Sequence, residues 1–209
     1  MHTAIVDSIH GFVEWSNAQY KSSDLVLFRG QPVQGKLLPG IARTNPSYDS
    51  TSLERQILNQ FKLMGAFMLN GIENNSLELM VMAQHYGLKT RLLDWTSNPL
   101  AALFFACNDK KEGDTFIYSL KSDDLVSEPF DKDPFNVSKT VVFQPPLNNP
   151  RILAQQGWFT LHRYSERDRM YVAIEKNLQT KKAALKCILR GRLYPSEGYH
   201  HSFSLKYLD

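Results

Sequence analysis

The segment from Gln84 to Cys107 constrains the fold of this chain more than any other. Within it lies a strong helix start, with Ser97 or Asn98 as the N-cap and Pro99 at the first helical position. The eight residues that follow, 100–107, are all apolar. Because a helix that is apolar on every face is typical of a protein core, we expect this helix to be buried.

Polar residues precede this apolar helix, and buried polar groups must be hydrogen-bonded or used in function. Arg91 and Asp94 are three residues apart, which fits either an internal salt bridge or a pair that orients a substrate. His85 is either a helix-end histidine or a hydrogen-bond donor into a pocket. Trp95, next to Thr96, either covers the core or offers a stacking face. This segment is therefore where we look for chemistry.

A second candidate region follows the short apolar run Leu25–Phe28, which predicts a buried strand. Arg29 comes directly after it, and an arginine there is costly unless it meets an anion or a carboxylate. Gly30 lets the backbone approach a ligand closely, and Gln31 follows it. Arg29 is thus either a ligand contact or half of a structural ion pair.

Hydrophobic periodicity predicts one α+β domain over residues 1–209, with a mixed sheet of about five or six strands. The larger helices fall in the first half of the chain. A Thr51-x-x-Glu54 capping box begins one of them. The predicted helices cover residues 3–19, 51–69, 75–86, 97–108 and 176–190. The predicted strands cover residues 25–28, 115–120, 141–143, 158–162 and 170–174.

Composition narrows the class of protein. With 43% hydrophobic and 22% charged residues, the chain fits a globular domain with a core of its own. Its two cysteines have neither metal-site nor disulfide-framework spacing, so we expect no metal and interpret Cys107 as a core residue. We find no signal-peptide pattern and no apolar run of about 18 residues, and therefore expect a cytoplasmic protein without a membrane span.

Charge is unevenly distributed along the chain. Residues 1–150 contain 13 basic and 16 acidic residues, whereas residues 151–209 contain 11 basic and 5 acidic ones. A basic last third is typical of a surface that meets a nucleic acid, a nucleotide or an acidic partner. The alternative is a solvated basic helix face without a partner.

Four blocks of this sequence resemble the FRG domain family over nearly the whole chain, residues 5–208. The first is Phe28-Arg29-Gly30-Gln31, and the second combines Gln84-His85-Tyr86-Gly87 with the run from Thr90 to Pro99. The third and fourth lie at residues 149–162 and 193–195. The fourth departs from the family pattern, because Pro-Ser-Glu-Gly stands where the family usually has Pro-Asp-Leu-Asp-Gly.

The order of the motifs also resembles the Arg-Ser-Glu type of ADP-ribosyltransferase core, which implies a small split sheet and NAD as the substrate. In that resemblance Arg29 holds the NAD diphosphate, and Thr96 with Ser97 supports the nicotinamide pocket. The catalytic glutamate position is filled by Glu197 or Gln156, with Glu175 as a more distant candidate. The remaining residues expected to contact the cofactor are Gly30, Gln31, His85, Arg91, Asp94 and Trp95.

These resemblances imply a toxin or phage-defence effector that transfers ADP-ribose from NAD to a macromolecule, with RNA or DNA favoured over protein. Such a toxin requires an inhibitor (antitoxin) protein in its host. One alternative is a non-catalytic nucleotide- or nucleic-acid-binding module. Another is a metal-independent nuclease using His85 with Arg29 and Arg91, with His162 as its second histidine. The side chains that share a cleft with Arg29 distinguish these hypotheses.

Overall fold

The computed structural model describes residues 2–69, 75–108, 113–128, 133–146, 156–177, 180 and 182–190. Within them the chain is an α+β protein with four α-helices and nine strands. In order, these elements are β1 (Thr3–Val6), α1 (Ile9–Gln19), β2 (Val26–Gln31), α2 (Thr51–Leu69), α3 (Ser76–His85), β3 (Leu92–Thr96), α4 (Pro99–Cys107), β4 (Thr115–Lys121), β5 (Val141–Phe143), β6 (Gly157–Leu161), β7 (Tyr164–Ser165), β8 (Met170–Tyr171) and β9 (Ala184–Leu189).

Seven strands form one mixed sheet in the order β1-β9-β4-β2-β3-β6-β5, and β7 and β8 form a separate hairpin. Only the β1–β9 pair is parallel among the strand pairs of the described sheet. Apolar clusters cover the sheet, one with α1 and α4, one with α2 and α3, and one that joins β2, β3 and β4 on the other side. The α+β class, the mixed sheet and the grouping of helices in the first half are confirmed.

The predicted helix over residues 3–19 is wrong in its first part. Thr3–Val6 is a strand that pairs in parallel with β9, and Ser8 then caps α1 by accepting a hydrogen bond from the Gly11 amide at 3.2 Å. A four-residue edge strand carries too few residues to show a period of its own. Its partner lies at the opposite end of the sequence, so no local pattern announces it.

The predicted basic helix over residues 176–190 is also wrong where the structure describes it. Ala184–Leu189 is a strand, β9, between β1 and β4. Its Ala184, Cys187 and Leu189 side chains are buried. A six-residue segment of five apolar residues and one lysine fits a helix face or a strand equally well, and here pairing on both sides decides in favour of the strand. With β3, which is also absent from the predicted strands, β1 and β9 bring the sheet to seven strands, whereas the predicted strand over residues 170–174 is only β8 (Met170–Tyr171) in the separate hairpin.

Helix α4 begins as predicted but is not buried on every face. Asn98 accepts hydrogen bonds from the Leu100 and Ala101 amides, at 2.9 and 3.3 Å, and Pro99 stands in the first turn. The helix packs one side on the sheet, whereas the other side is exposed. The exposed residues include Leu100, Phe104 and Phe105. Cys107 is exposed as well, so its interpretation as a core residue is wrong.

The sheet is split at its centre. Strands β2 and β4 register six residue pairs and β3 and β6 register five, but β2 and β3 register a single pair, Phe28 opposite Thr96. Beyond Phe28 the two strands no longer form a ladder. Four strands therefore stand on one side of the split and three on the other.

Gly30 is required because α4 lies directly against β2 at this position. A Cβ atom on residue 30 would lie 1.9 Å from the Ala102 carbonyl oxygen and 2.7 Å from the Ala106 amide nitrogen. Both are backbone atoms of a helix, so neither can move aside alone. The glycine thus fixes how closely α4 approaches the split.

We predict that Gly30→Ala lowers the free energy of unfolding by about 3 kcal/mol, because the added methyl group forces α4 off the sheet. The control is Gly65→Ala in α2, where the new Cβ would meet the Leu69 side chain at an ordinary 3.5 Å. Gly65→Ala replaces a glycine within a helix and should raise the free energy of unfolding by about 1 kcal/mol or less. Urea denaturation measures both, and equal stability of the Gly30 variant and wild type would contradict the close packing.

Candidate functional site

A cleft of about 360 Å³ opens where β2 and β3 separate. We call it the Arg29 cleft. It brings together residues from both sides of the split, from the end of α3 and from α4. Its lining residues are Phe28, Arg29, Gly30, Gln84, His85, Asp94, Trp95, Thr96, Phe105 and Phe159.

Arg29 and Asp94 bridge the split. The Arg29 Nη1 atom lies 2.7 Å from the Asp94 Oδ2 atom and donates a second hydrogen bond to the Asp94 carbonyl oxygen at 2.8 Å. The arginine side chain is only 10% exposed, whereas the aspartate side chain faces the open cleft and is 61% exposed. Desolvation in the cleft opposes ionisation of Asp94, but the charges of Arg29 and Arg43 outweigh it and hold its pKa below the usual value.

Arg29 keeps unused hydrogen-bonding capacity. Its Nε atom is buried and has no hydrogen-bond partner among the residues that the structure describes. Most buried polar groups in folded proteins are hydrogen-bonded, so an exception in a cleft points to a ligand or a partner that the fold itself does not supply. The sequence left open whether Arg29 is half of an ion pair or a ligand contact, and its geometry permits both.

Thr96 is the last residue of β3, and its side chain is hydrogen-bonded to the N-cap residue of α4. It lines the Arg29 cleft, and its Oγ1 atom accepts a hydrogen bond from the Asn98 amide at 3.0 Å. The next residue, Ser97, donates its amide to the Gln156 carbonyl oxygen at 3.3 Å. Gln156 has a φ of 45°, a left-handed conformation that is unusual for a residue other than glycine. The structure thus places Gln156 beside the Thr96–Ser97 strand end.

A buried hydrogen-bond chain fixes Trp95. Its Nε1 atom donates to the Thr160 Oγ1 atom at 3.1 Å, and that oxygen lies 3.0 Å from the His162 Nε2 atom. Burial, with the nearby charges of Arg91 and Arg29, lowers the pKa of His162 to about 3. His162 is therefore neutral at physiological pH. It supports Trp95 from behind and is not among the residues that line the cleft.

His85 and Gln84 reach the cleft from the end of α3. The His85 ring stands edge-on to the Phe159 ring, with 6.4 Å between the ring centroids. The Gln84 side-chain oxygen accepts a hydrogen bond from the Thr90 hydroxyl group. The final turn of α3 is thereby held against β3, which places His85 inside the cleft.

Arg91 does not reach the cleft. It is 1% exposed, and Glu54 accepts hydrogen bonds from its Nε atom at 2.8 Å and from its amide at 2.6 Å. Its guanidinium carbon lies 4.4 Å from the centre of the Phe135 ring. The predicted Arg91–Asp94 salt bridge is therefore wrong, since each pairs with a different residue. The capping-box role of Glu54 is wrong too, because its carboxylate is engaged by Arg91.

The other candidates lie elsewhere. Glu197 falls outside the described residues. Glu175 accepts a hydrogen bond from the Leu37 amide at 3.2 Å and does not line the cleft. Gln31 lines a second recess on β2 and not the cleft. Of the residues described, Asp94 supplies the carboxylate of the Arg29 cleft.

Sequence reasoning missed the aromatic wall of the cleft. Phe28, Phe105 and Phe159 line it, but each belongs to an apolar run that predicts only core packing. The position of Phe105 was predictable in part. Asn98-Pro99 fixes the start of α4, and the helical period then gives the residues that lie one and two turns beyond the end of β3. Without the position of α3, that information could not identify a cleft.

Two classes of site find no support in the described part of the chain. It contains no cluster of three or more His, Cys, Asp or Glu residues able to hold a metal ion. Nor does it contain a helix with the length and apolar character to cross a membrane.

Fold and geometry together describe an α+β protein whose mixed sheet is split at its centre and carries a cleft at the split. Residues 24–115, fewer than half of the chain, match the family model of the FRG domain. The match covers the strands on which Arg29 and Asp94 stand, whereas β1, β6 and β9 of the same sheet lie outside it. Searches of curated proteins and of solved structures gave no match.

We predict that Glu54→Gln lowers the free energy of unfolding by about 3 to 5 kcal/mol, because it leaves the Arg91 charge buried without a counter-charge. Asp133→Asn is the matched control. It breaks the exposed Arg55–Asp133 pair, which has a 2.6 Å contact, and should cost less than about 1 kcal/mol. Urea denaturation at pH 7 compares the two, and similar losses would contradict the importance of burial.

His162 should make the chain less stable as the pH falls. Its folded pKa of about 3 lies below the model-peptide value of 6.5, so between these values the unfolded state binds one more proton. The free energy of unfolding should decrease by about 1.4 kcal/mol per pH unit below pH 6.5 from this residue alone. His162→Gln should remove that slope between pH 6.5 and 5, whereas the exposed His10→Gln should keep it. A wild-type slope in both variants would show that His162 does not remain neutral.

Proposed function

We propose that the Arg29 cleft binds NAD and that the chain is an ADP-ribosyltransferase. The observation that carries this proposal is the register of Phe28 opposite Thr96, with Arg29 and Thr96 in one cleft. An arginine on one strand and a threonine at the end of its neighbour is the pairing that the resemblance to the Arg-Ser-Glu core requires. Phe105, which is 40% exposed and lines the cleft, adds a surface suited to a planar ring.

The reaction requires a group that holds the diphosphate and a group that stabilises positive charge on the ribose, and Arg29 and Asp94 are able to supply them. The bond between C1′ of the ribose and the nicotinamide nitrogen breaks, and C1′ bonds to a nitrogen or oxygen of the acceptor. Nicotinamide and the proton of the acceptor leave. Arg29 suits the diphosphate oxygens because its guanidinium is planar and permanently charged. Asp94, held ionised, lies where a positive charge on the ribose would be stabilised.

The carboxylate or amide that orients the acceptor remains a choice between Glu197 and Gln156. Gln156 has in its favour its place beside Ser97, at the strand end that lines the cleft. Glu197 has in its favour the carboxylate that the resemblance implies. Asp94 is a third possibility, supported by its position in the cleft.

The biological setting follows from the class of reaction. A chain that modifies RNA or DNA with ADP-ribose acts as a toxin or phage-defence effector in the cytoplasm, where NAD and nucleic acids are available. Its host then needs an inhibitor protein. The excess of basic residues over residues 151–209 supports a nucleic acid over a protein as the acceptor.

One observation favours a second function, a nucleotide-binding module without catalysis. Arg29 is paired with Asp94, and no glutamate lines the cleft among the residues described. In this case the cleft binds the same ligand class and releases it unchanged. The nuclease hypothesis has less support, since His162 is buried behind Trp95 and His85 has no second histidine beside it in the described cleft.

The test is nicotinamide release and label transfer from NAD labelled in its phosphates, with separate pools of RNA, DNA and protein as acceptors. We expect transfer to nucleic acid by the wild-type chain. Arg29→Ala should lower it by about 10² to 10³, the usual loss for a group that stabilises a transition state electrostatically. Arg55→Ala, which breaks the exposed pair with Asp133, is the matched control and should retain activity.

NAD binding, measured by calorimetry on the same proteins, separates the two functions. Binding that Arg29→Ala abolishes, without nicotinamide release by the wild type, would replace the transferase with the binding module. Failure of the wild-type chain to bind NAD would contradict both. An inhibitor that co-purifies would be detected as a second band and removed before the assay.

A further inference from the structure

Arg29 also lines a second recess, of about 460 Å³. We call it the Lys36 recess. Side chains alternate along β2, so that Phe28 and Gly30 face α4 while Arg29 and Gln31 face the opposite side of the sheet. The recess lies where β2 ends and the following loop returns. It is lined by Arg29, Gly30, Gln31, Pro32, Val33, Gly35, Lys36, Leu38 and Arg43.

Three cations and no carboxylate line this recess among the residues described. They are Arg29, Lys36 and Arg43. Asp94 is the nearest identified counter-charge to Arg29, and it lies on the cleft side. Glu175 engages the Leu37 amide and is absent from the lining. Clustered cations repel one another, and an anion between them removes that repulsion.

The arginines are held in place for such an anion. Arg43 donates its Nε–H to the Leu38 carbonyl oxygen at 3.2 Å, which leaves its two terminal nitrogens without a hydrogen-bond partner among the described residues. Partial desolvation and the neighbouring Arg29 charge lower the pKa of Arg43 and outweigh the opposing effect of the Asp94 charge, so this environment disfavours its positive charge. Arginine terminal nitrogens in this state match the oxygens of a phosphate group.

The wall of the recess holds two further polar atoms that the fold leaves unsatisfied. The Arg29 Nε atom and the Gln31 Oε1 atom are both buried without a hydrogen-bond partner in the described structure. A Cβ atom on residue 35 would lie 3.3 Å from the Gln31 Oε1 atom. Because residue 35 is a glycine, the space beside that oxygen stays open. An unsatisfied donor and an unsatisfied acceptor on two residues that line the same recess suit a ligand with both phosphate oxygens and hydroxyl groups.

We propose that the Lys36 recess binds a phosphate of the nucleic-acid acceptor, with Lys36 and Arg43 holding the strand on the far side of Arg29. That the bound strand is the acceptor of ADP-ribose rests on the proposed function, whereas binding of the strand to the recess requires no NAD. The site is a recess and not an extended basic face, which fits a single strand whose backbone can enter it better than a duplex. Arg29, shared by the recess and the cleft, then stands between acceptor and donor.

The test is fluorescence anisotropy with a labelled 12-nucleotide single-stranded RNA, without NAD, over a series of salt concentrations. The variant is Lys36→Gln with Arg43→Gln, both exposed residues, so the fold is retained. Each lost phosphate contact should reduce the slope of log affinity against log salt by about 0.7, hence roughly 1.4 for the pair. The control is Lys21→Gln with Lys139→Gln, two exposed cations outside both the recess and the basic segment 151–209, which should leave the slope near that of the wild type.

The outcomes keep this inference distinct from the proposed function. Equal salt slopes for the two double variants, or no RNA binding by the wild-type chain, would overturn the Lys36 recess as a strand-binding site. Equally tight binding of an acidic peptide such as polyglutamate would overturn the nucleic acid as its ligand. A chain that binds RNA as predicted but releases no nicotinamide would support the recess and contradict the transferase.

Discussion

The contact between Arg29 and Asp94 is the interaction on which the rest of the site depends. It stands where the ladder between β2 and β3 stops, and it replaces the missing backbone pairing with one ion pair and one hydrogen bond to a carbonyl oxygen. The other wall of the opening is set by Gly30, which lets α4 approach the sheet at backbone distance. The width of the cleft is therefore determined by one side-chain pair and one helix contact.

The two partners of this pair are unequal. Arg29 is enclosed and anchored in the split, whereas the Asp94 side chain is largely exposed to the cleft. A ligand anion is thus able to displace the aspartate, which turns toward water, without moving the arginine. Because Arg29 keeps a counter-charge throughout, the exchange avoids the cost of a buried unpaired cation. This exchange of counter-charges suits both proposed functions, the nucleotide-binding module and the transferase. The two functions differ only in whether bound NAD is cleaved.

Local chemistry made part of this structure predictable from the sequence. Asn98 and Pro99 fix the start of α4 because caps act within one turn, and Arg29 stands out because a charge after a buried strand needs a partner. The failures share a different cause. Residues 3–6 pair with residues 186–189, and Arg91 pairs with Glu54, 37 residues earlier. Neither partner is visible in a window of local sequence, so the apolar runs were assigned to helices and Arg91 to the site.

The apolar run of α4 shows how a correct pattern can lead to a wrong location. Its residues are apolar on all sides, yet the helix covers the sheet with one side and leaves Phe104 and Phe105 exposed, at 54% and 40%. Phe105 also lines the Arg29 cleft, together with Phe28 and Phe159. Apolar surface beside the enclosed Arg29 guanidinium strengthens its electrostatic interactions, while the Asp94 side chain keeps its contact with water. The hydrophobicity that the sequence assigned to the core thus acts partly at the cleft, where it raises the cost of leaving either Arg29 or a bound anion without its partner.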